Sequence, residues 1–508
     1  MAFLVAGTLR VAAHMADAQD SLARKGTYSL RAPRAALTIC SPEVPDSTVA
    51  ILEATLQALG FHSCQRREAS AQGFLGELAR FREQLDAQGG PVSCALVALV
   101  APREQLRRPQ LLVRELSRCE ALQGHPKILL LLSSAPRAAP EPGAFLTGLR
   151  ELCGRCPHWS LLQLLTEVFG LASRESCRAS YCPVLRSSLR GTLFLQEAGL
   201  WDQEQEGSPG AQYDLSGARA ALILAVLRER PGAQRDVEAL RGLCESLGFQ
   251  TVLRTDPTAQ DFQEELAQFR ERLHTCRGPV GCVLVALMAH GGPRGQLLGA
   301  DGEEVQSEAL VRRLSRCRAL RGCPKIFLLQ ACRGGHRDAG MGPAVSPRFW
   351  RWLRPSPPTP SHADVLQICA DAPGGPTPES LDLADVLRVY AATEGYVAYR
   401  GERGSDFIQT LVEVVRAYPG EDLLELLAEV SRQVCALDVL GPDCSEPRKA
   451  CPEVRSSLRR RLCLSRAGVA APGCANSGSP LTHSRPVGRG ASPSDLVQVS
   501  NPQPDAGS

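Results

Sequence analysis

The chain has 508 residues, 44% of them hydrophobic and 22% charged, with a formal net charge of +3. That length allows two or three domains with sizeable cores, and so small a net charge gives no reason to expect nucleic acid or a membrane surface as partner. Twenty cysteines scattered over a chain this long, several inside apolar runs (Cys94, Cys282, Cys369), argue for reduced thiols in the cytoplasm rather than a disulfide framework.

In chain order, residues 1–27 read as an N-terminal extension. Its apolar start, Met1–Leu9, has no basic region and is cut by Arg10, so a secretory signal is not expected, and no later run is long enough for a membrane span. From residue 28 onward the same pattern occurs twice. Leu59-Gly60-Phe61 returns as Leu247-Gly248-Phe249, and Gly90-Pro91-Val92-Ser93-Cys94 as Gly278-Pro279-Val280-Gly281-Cys282, both 188 residues on (59 to 247, 90 to 278). Leu116-Ser117-Arg118-Cys119 returns as Leu314-Ser315-Arg316-Cys317, and Arg186-Ser187-Ser188-Leu189 as Arg455-Ser456-Ser457-Leu458. The repeat divides the chain into a first copy at 28–200, a linker at 201–212, a second copy at 213–464, and a tail at 465–508 poor in large apolar side chains. In each copy short apolar runs alternate with amphipathic stretches, such as Asp261–Arg270 with Phe262, Leu266 and Phe269 on one face. This predicts tandem α/β domains, each a mostly parallel central sheet flanked by helices, with ligands bound beyond the C-terminal strand ends.

Two such ends in the second copy carry chemistry. Val283–Ala289 ends at His290-Gly291, and Ile326–Leu329 ends at Gln330-Ala331-Cys332-Arg333-Gly334. A cysteine nucleophile needs its thiolate, which an imidazole can generate before protonating the leaving amine. The Gly291 and Cys332 amides are candidate donors to a developing oxyanion, which fits peptide-bond hydrolysis. Between Gly335 and Leu383 the composition turns to Pro, Gly and Ser, reading as a long exposed loop that holds Asp364, Asp371 and Asp382.

Gln330–Gly334, with a histidine upstream, resembles the signature of the caspases. The resemblance runs from about Tyr213 to Leu464 and is nearest the branch of cornifying epidermis, through Asp256-Pro257-Thr258-Ala259, Leu287–Gly291 and Glu394-Gly395-Tyr396. It implies a tandem of caspase-like domains, the second a cysteine endopeptidase cutting protein substrates after Asp, without cofactor, in differentiation rather than apoptosis. It further implies a zymogen with large subunit 213–337, intersubunit linker 338–384 and small subunit 385–464. The linker would be cut after Asp371, with Asp364 or Asp382 as alternatives, and units would pair through the small-subunit edge as homodimer or heterodimer. The family holds the Asp carboxylate with two arginines and a glutamine. The matching residues are Arg230, before Pro231-Gly232 in the loop after the first strand; Gln330; and Arg400, on a first small-subunit strand Tyr396–Arg400. Planar guanidiniums suit a buried carboxylate. Ala289 and Ala398 depart from the serines common in the family.

In the first copy Pro102 stands for His290, Leu132 for Gln330 and Ser134 for Cys332, and nothing between Arg34 and Arg66 replaces Arg230. Eight residues separate Pro136 from Phe145, so the linker and the strand after it are missing. The first copy therefore reads as a pseudo-enzyme, and the rival function is a silent regulator or decoy that binds other caspases. Cys153 and Cys156, with Cys177 and Cys182 nearby, lack a partner pair at finger spacing, and no metal is expected.

Overall fold

The computed structural model describes residues 26–88, 90–134, 142–175, 183–196, 210–276, 278–338, 359–370, 383–437 and 449–465. Its strands are β1 (Arg34–Cys40), β2 (Phe61–Arg67), β3 (Cys94–Ala101), β4 (Lys127–Ser133), β5 (Val184–Ser187), β6 (Ala218–Ala225), β7 (Gln250–Thr255), β8 (Val280–Met288), β9 (His290–Gly291), β10 (Gln296–Leu298), β11 (Glu304–Gln306), β12 (Lys325–Gln330), β13 (Val365–Cys369), β14 (Val386–Tyr390) and β15 (Glu453–Ser456). Its helices are α1 (Asp46–Ala58), α2 (Ala71–Gln88), α3 (Pro109–Ser117), α4 (Pro142–Arg155), α5 (Leu161–Glu175), α6 (Ala233–Ser246), α7 (Ala259–Thr275), α8 (Ser307–Ser315), α9 (Asp406–Ala417) and α10 (Leu423–Ala436). The continuous apolar runs become strands covered on both faces: β3, β4, β8 and β12 are buried at every position.

Twelve strands join in one mixed sheet, ordered β2-β1-β3-β4-β13-β5-β15-β14-β12-β8-β6-β7, while β9, β10 and β11 form a small antiparallel sheet beside it. Neighbours are parallel except β13 with β5, β5 with β15 and β15 with β14. The two repeats thus share a sheet instead of building one each, and the order reads as a palindrome about the β5–β15 pair. Helices α1, α4, α5, α6, α9 and α10 cover one face with a core that runs unbroken across both halves. The other face carries two separate cores, under α2 and α3 and under α7 and α8.

The halves repeat in detail. Arg34 donates to the carbonyls of Leu59 and Leu195, and Arg219 to those of Leu247 and Leu464. The buried Lys127 ammonium caps the carbonyls of Leu122 and His125, and Lys325 those of Leu320 and Cys323. Asp385 accepts from Tyr213 at 2.7 Å and from both ends of the Arg459 fork. In the first half Tyr28 at 2.6 Å and Arg190 make the same contacts, but with Asp364.

Asp364 shows where sequence reading went wrong. The segment taken as exposed linker contains β13, inserted between β4 and β5 in the first half, where among the described residues no strand of that copy lies. A Pro- and Gly-rich surrounding hid a short strand whose burial depends on a distant pairing partner. The expected extension before residue 26, the linker at 201–209 and the tail beyond 465 lie outside the described residues.

Burial alone would raise the Asp364 pKa, but hydrogen bonds from Arg190 and the charges of Lys127 and Arg190 hold it below the ordinary aspartate value. Its contribution is therefore complete above the unfolded-state value of about 3.9 and is lost as pH falls through the lower folded value. Asp364→Asn should weaken the fold by roughly 3–5 kcal/mol at neutral pH, and urea titrations should show the gap from the parent closing in acid.

Candidate active site

Strands β8 and β12 run parallel with Met288 opposite Gln330. Two residues further on, His290 and Cys332 follow the ends of these neighbouring strands. Gly291 follows the histidine into β9, and a Cβ there would collide with the Cys332 carbonyl and the Ala331 side chain. Only glycine lets the two backbones approach this closely. The half-buried Cys332 thiol lies 3.7 Å from the Ala398 carbonyl.

His290 is exposed on one side. Burial of the rest of the ring, then the positive charges of Arg230 and Arg400, lower its pKa, while a hydrogen bond to the Glu229 backbone carbonyl works the other way. The imidazole is consequently neutral at neutral pH and able to accept a proton. Glu229 adopts φ 52°, a left-handed conformation that costs a non-glycine residue and aims its carbonyl at the ring.

Arg230 is 4% exposed. Its Nη1 donates to Val226 O at 2.7 Å and its Nη2 to Gln330 O at 3.2 Å, while Nε has no partner among the described residues. Burial first and Arg400 second bring its pKa down to about 9. Gln330, 2% exposed, has an Oε1 equally without partner. Arg400 donates to Pro231 O at 2.9 Å, and burial lowers its pKa. The carboxylate that acts on both guanidiniums, Asp236, instead accepts from the Ser405 amide at 2.8 Å and from Gln409 at 2.8 Å. Gly232, at φ 75°, lets the 401–404 turn lie directly on the start of α6. All six residues nominated for chemistry and carboxylate binding are thus brought together.

Two expectations need correction. Arg400 does not lie on the first small-subunit strand, which is β14; the stretch from Tyr396 is extended chain tied to the cysteine loop by Arg333 N to Tyr396 O at 2.9 Å and Val397 N to His336 O at 3.0 Å. Asp364 is 1% exposed and locked to Arg190 and Tyr28, so it is no accessible cleavage residue. Asp371 and Asp382 lie outside the described residues, and the Ile368 and Ala370 side chains before Asp371 are buried in the sheet.

Sequence reading missed the groups that hold the site. Arg333, next to Cys332, pairs with Glu453 at 3.1 Å and Glu394 at 3.6 Å and lies 4.0 Å over the Tyr390 ring. Arg455 pairs with Glu453 and Glu394, and Arg186 of the first half reaches Glu394 at 3.8 Å. The repeated Arg-Ser-Ser-Leu motif marks Arg186 and Arg455, but Glu229, Asp236, Glu394 and Glu453 carry no motif. Among the described residues no group of three or more His, Cys, Asp or Glu side chains is placed to hold a metal, and no helix is long and apolar enough to cross a membrane.

Because Arg230 and Arg400 depress the His290 pKa, Arg400→Ala should move it up toward the ordinary imidazole value of about 6.5. Following the His290 ring protons by NMR across pH checks this, and an unmoved or lowered midpoint contradicts it.

The caspase domain model matches residues 218–463. Human caspase-14 is 40% identical over 257 residues, which cover 50% of this chain and 96% of the relative. Mouse caspase-14 is 39% identical over 256 residues, 50% of this chain and 94% of the relative. Bovine caspase-3 is 28% identical over 238 residues, 46% of this chain and 76% of the relative. With a relative at 40% identity aligned over nearly its whole length, and with a thiol, an imidazole and two guanidiniums gathered at neighbouring strand ends, the chain belongs to the caspase family.

Proposed function

We propose that residues 213–464 form a cysteine endopeptidase that hydrolyses protein substrates after Asp. The observation that carries this reading is a buried guanidinium with an unpartnered Nε, beside a second guanidinium and next to a thiol. Two guanidiniums whose pKa values burial lowers, Arg230's further lowered by the charge of Arg400, are stabilised by a carboxylate placed between them, and Arg offers it bidentate donors. An Asp side chain on the substrate supplies that charge. It sets the carbonyl of the same residue over Cys332.

His290 then takes the Cys332 proton, the thiol giving up the Ala398 carbonyl as it ionises. The thiolate adds to the substrate carbonyl carbon, and the oxyanion falls to the amides of Cys332 and Gly291. Collapse breaks the C–N bond, with the proton on His290 passing to the leaving amine. Water, deprotonated by His290, hydrolyses the thioester and restores the thiol. The chemistry needs reduced sulfur, and every cysteine among the described residues is free, which supports a cytoplasmic setting. The first half, with Pro102, Leu132 and Ser134 at the equivalent positions, has no base, amide or thiol and is the non-catalytic copy. A zymogen cut within 371–382 would separate large and small subunits.

The decoy reading requires a free small-subunit edge with which to capture another caspase. Strand β15 is already paired with β5.

With an Asp-terminated fluorogenic peptide and the full chain cleaved in its linker, Cys332→Ala should lose at least roughly 10⁴-fold in turnover. Arg230→Ala should cost about 2–5 kcal/mol in kcat/KM, roughly 30- to 5,000-fold, and should abolish the preference for Asp over Asn. Cys332-independent turnover sinks the nucleophile assignment, and an Asp preference intact in Arg230→Ala sinks the pocket.

A further inference from the structure

Strand β13 does not belong to the half of the chain in which it is encoded. Ala363-Asp364-Val365-Leu366-Gln367-Ile368-Cys369 repeats Ala384-Asp385-Val386-Leu387-Arg388-Val389-Tyr390, which contains β14, at a spacing of 21 residues (364 to 385). The pairing repeats as well. Val365 lies opposite Lys127 as Val386 lies opposite Lys325, and Leu366 opposite Ser187 as Leu387 opposite Ser456. The Lys127 amide donates to Asp364 O at 2.8 Å, the Lys325 amide to Asp385 O at 2.9 Å. Both aspartates hold a left-handed backbone, φ 64° and φ 59°. Such a conformation is unfavourable for a non-glycine residue and persists where surroundings enforce it. Here the surroundings are Tyr28 and Arg190 in one half, Tyr213 and Arg459 in the other.

The first copy needs this strand. Without β13, β4 and β5 would each show a bare edge in the middle of the sheet. With it, β5 is held and presents its other edge to β15, so that Arg186 stands directly opposite Arg455, its own repeat partner, at the centre of the palindrome. Arg186 thus occupies the place that a second chain's Arg455 would take, and it contacts Glu394, the carboxylate that also pairs with Arg333 beside Cys332.

We propose that the chain is a single-chain pseudo-dimer: the insert of the second copy donates β13 to the first, and the completed first copy is the built-in partner of the small-subunit edge. The candidate active site is then supported without a second chain. A cut within 371–382 leaves β13 on the fragment bearing Cys332 and β14 on the other, and both stay interleaved with the first copy. The regulatory part of this inference rests on the peptidase reading; the assembly part does not.

The test uses the full 508-residue chain, intact and cut in the linker. Light scattering should give the mass of one chain, 54.6 kDa, across a roughly hundred-fold dilution, with specific activity unchanged over the same range. Hydrogen exchange should show the 365–369 amides protected as strongly as those of 386–390. Replacing Val365–Cys369 by Gly and Ser of equal length should remove protection from β5 and convert the chain to larger species through the exposed edges. A two-chain particle in the parent, specific activity that falls on dilution, or rapid exchange at 365–369 overturns the proposal, as does a replaced chain with β5 still protected. Mass and exchange read the same on Cys332→Ala, so a monomer with protected β13 but no turnover would reject the peptidase reading and leave the pseudo-dimer standing. If the replaced chain fails to fold, the parent measurements alone decide.

Discussion

Everything at the centre of the molecule depends on a charge knot in which Arg333, Arg455 and Arg186 surround the buried Glu453 and the solvent-facing Glu394 beside the Tyr390 ring. Burial pushes the Glu453 pKa up, but Arg333, Arg455 and Arg186 more than reverse it, so the carboxylate stays ionised deep in the protein. Like charges facing across antiparallel strands repel. Arg186 and Arg455 face each other at the β5–β15 seam, and the charges of Glu453 and Glu394 offset their repulsion. A network of this kind contributes little net stability, because desolvation opposes the Coulomb gain, yet leaving one member unpaired is costly. Its effect is to allow one register of the seam and one position for Arg333. Since Arg333 is bonded to Cys332 in the chain and to Tyr396 and Gly395 through its backbone, the position of Arg333 also constrains that of Cys332.

The parts of this arrangement legible in the sequence were those with a local signature. Continuous apolar runs announced β3, β8 and β12 because burial on both faces leaves no polar alternation, and the residues just past β8 and β12 carried the histidine and cysteine. The arginines and glutamine came from resemblance, and the structure does gather them. What escaped were features defined by closure in space. Glu229 contributes a carbonyl, which any residue has; Asp236 accepts from groups that arrive from residues 405 and 409; Glu453 is brought to Arg333 only once β15 pairs with β14. Strand β13 is the instructive miss, because its signal was present. Ala-Asp-Val-Leu occurs at 363 and again at 384, but the first occurrence lies amid prolines and glycines, and composition over a window outweighed a short repeat.

The first copy separates what the fold demands from what chemistry demands. Arg34, Lys127, Tyr28 and Arg190 keep contacts that match those of Arg219, Lys325, Tyr213 and Arg459 in the second half. These bind backbone carbonyls or a buried carboxylate, so each loss would strand a polar group in the core. The positions matching His290, Gln330 and Cys332 have no such duty and have become Pro102, Leu132 and Ser134. Retention and loss follow burial of polar groups, not position in the chain.

Joining the two copies in one chain also changes the energetics of the seam. A partner on a tether meets its site at an effective concentration in the millimolar range for short linkers, whatever the concentration of the protein. The β5–β15 pairing is only a few residues long and could be weak between separate chains. Within one chain it is reinforced by β13, which threads the second copy's insert through the first copy's sheet and fixes it at Asp364. The second copy's chain is therefore anchored in the first copy's half of the sheet at β13, so that the two halves are held together by strand pairing as well as by the tether.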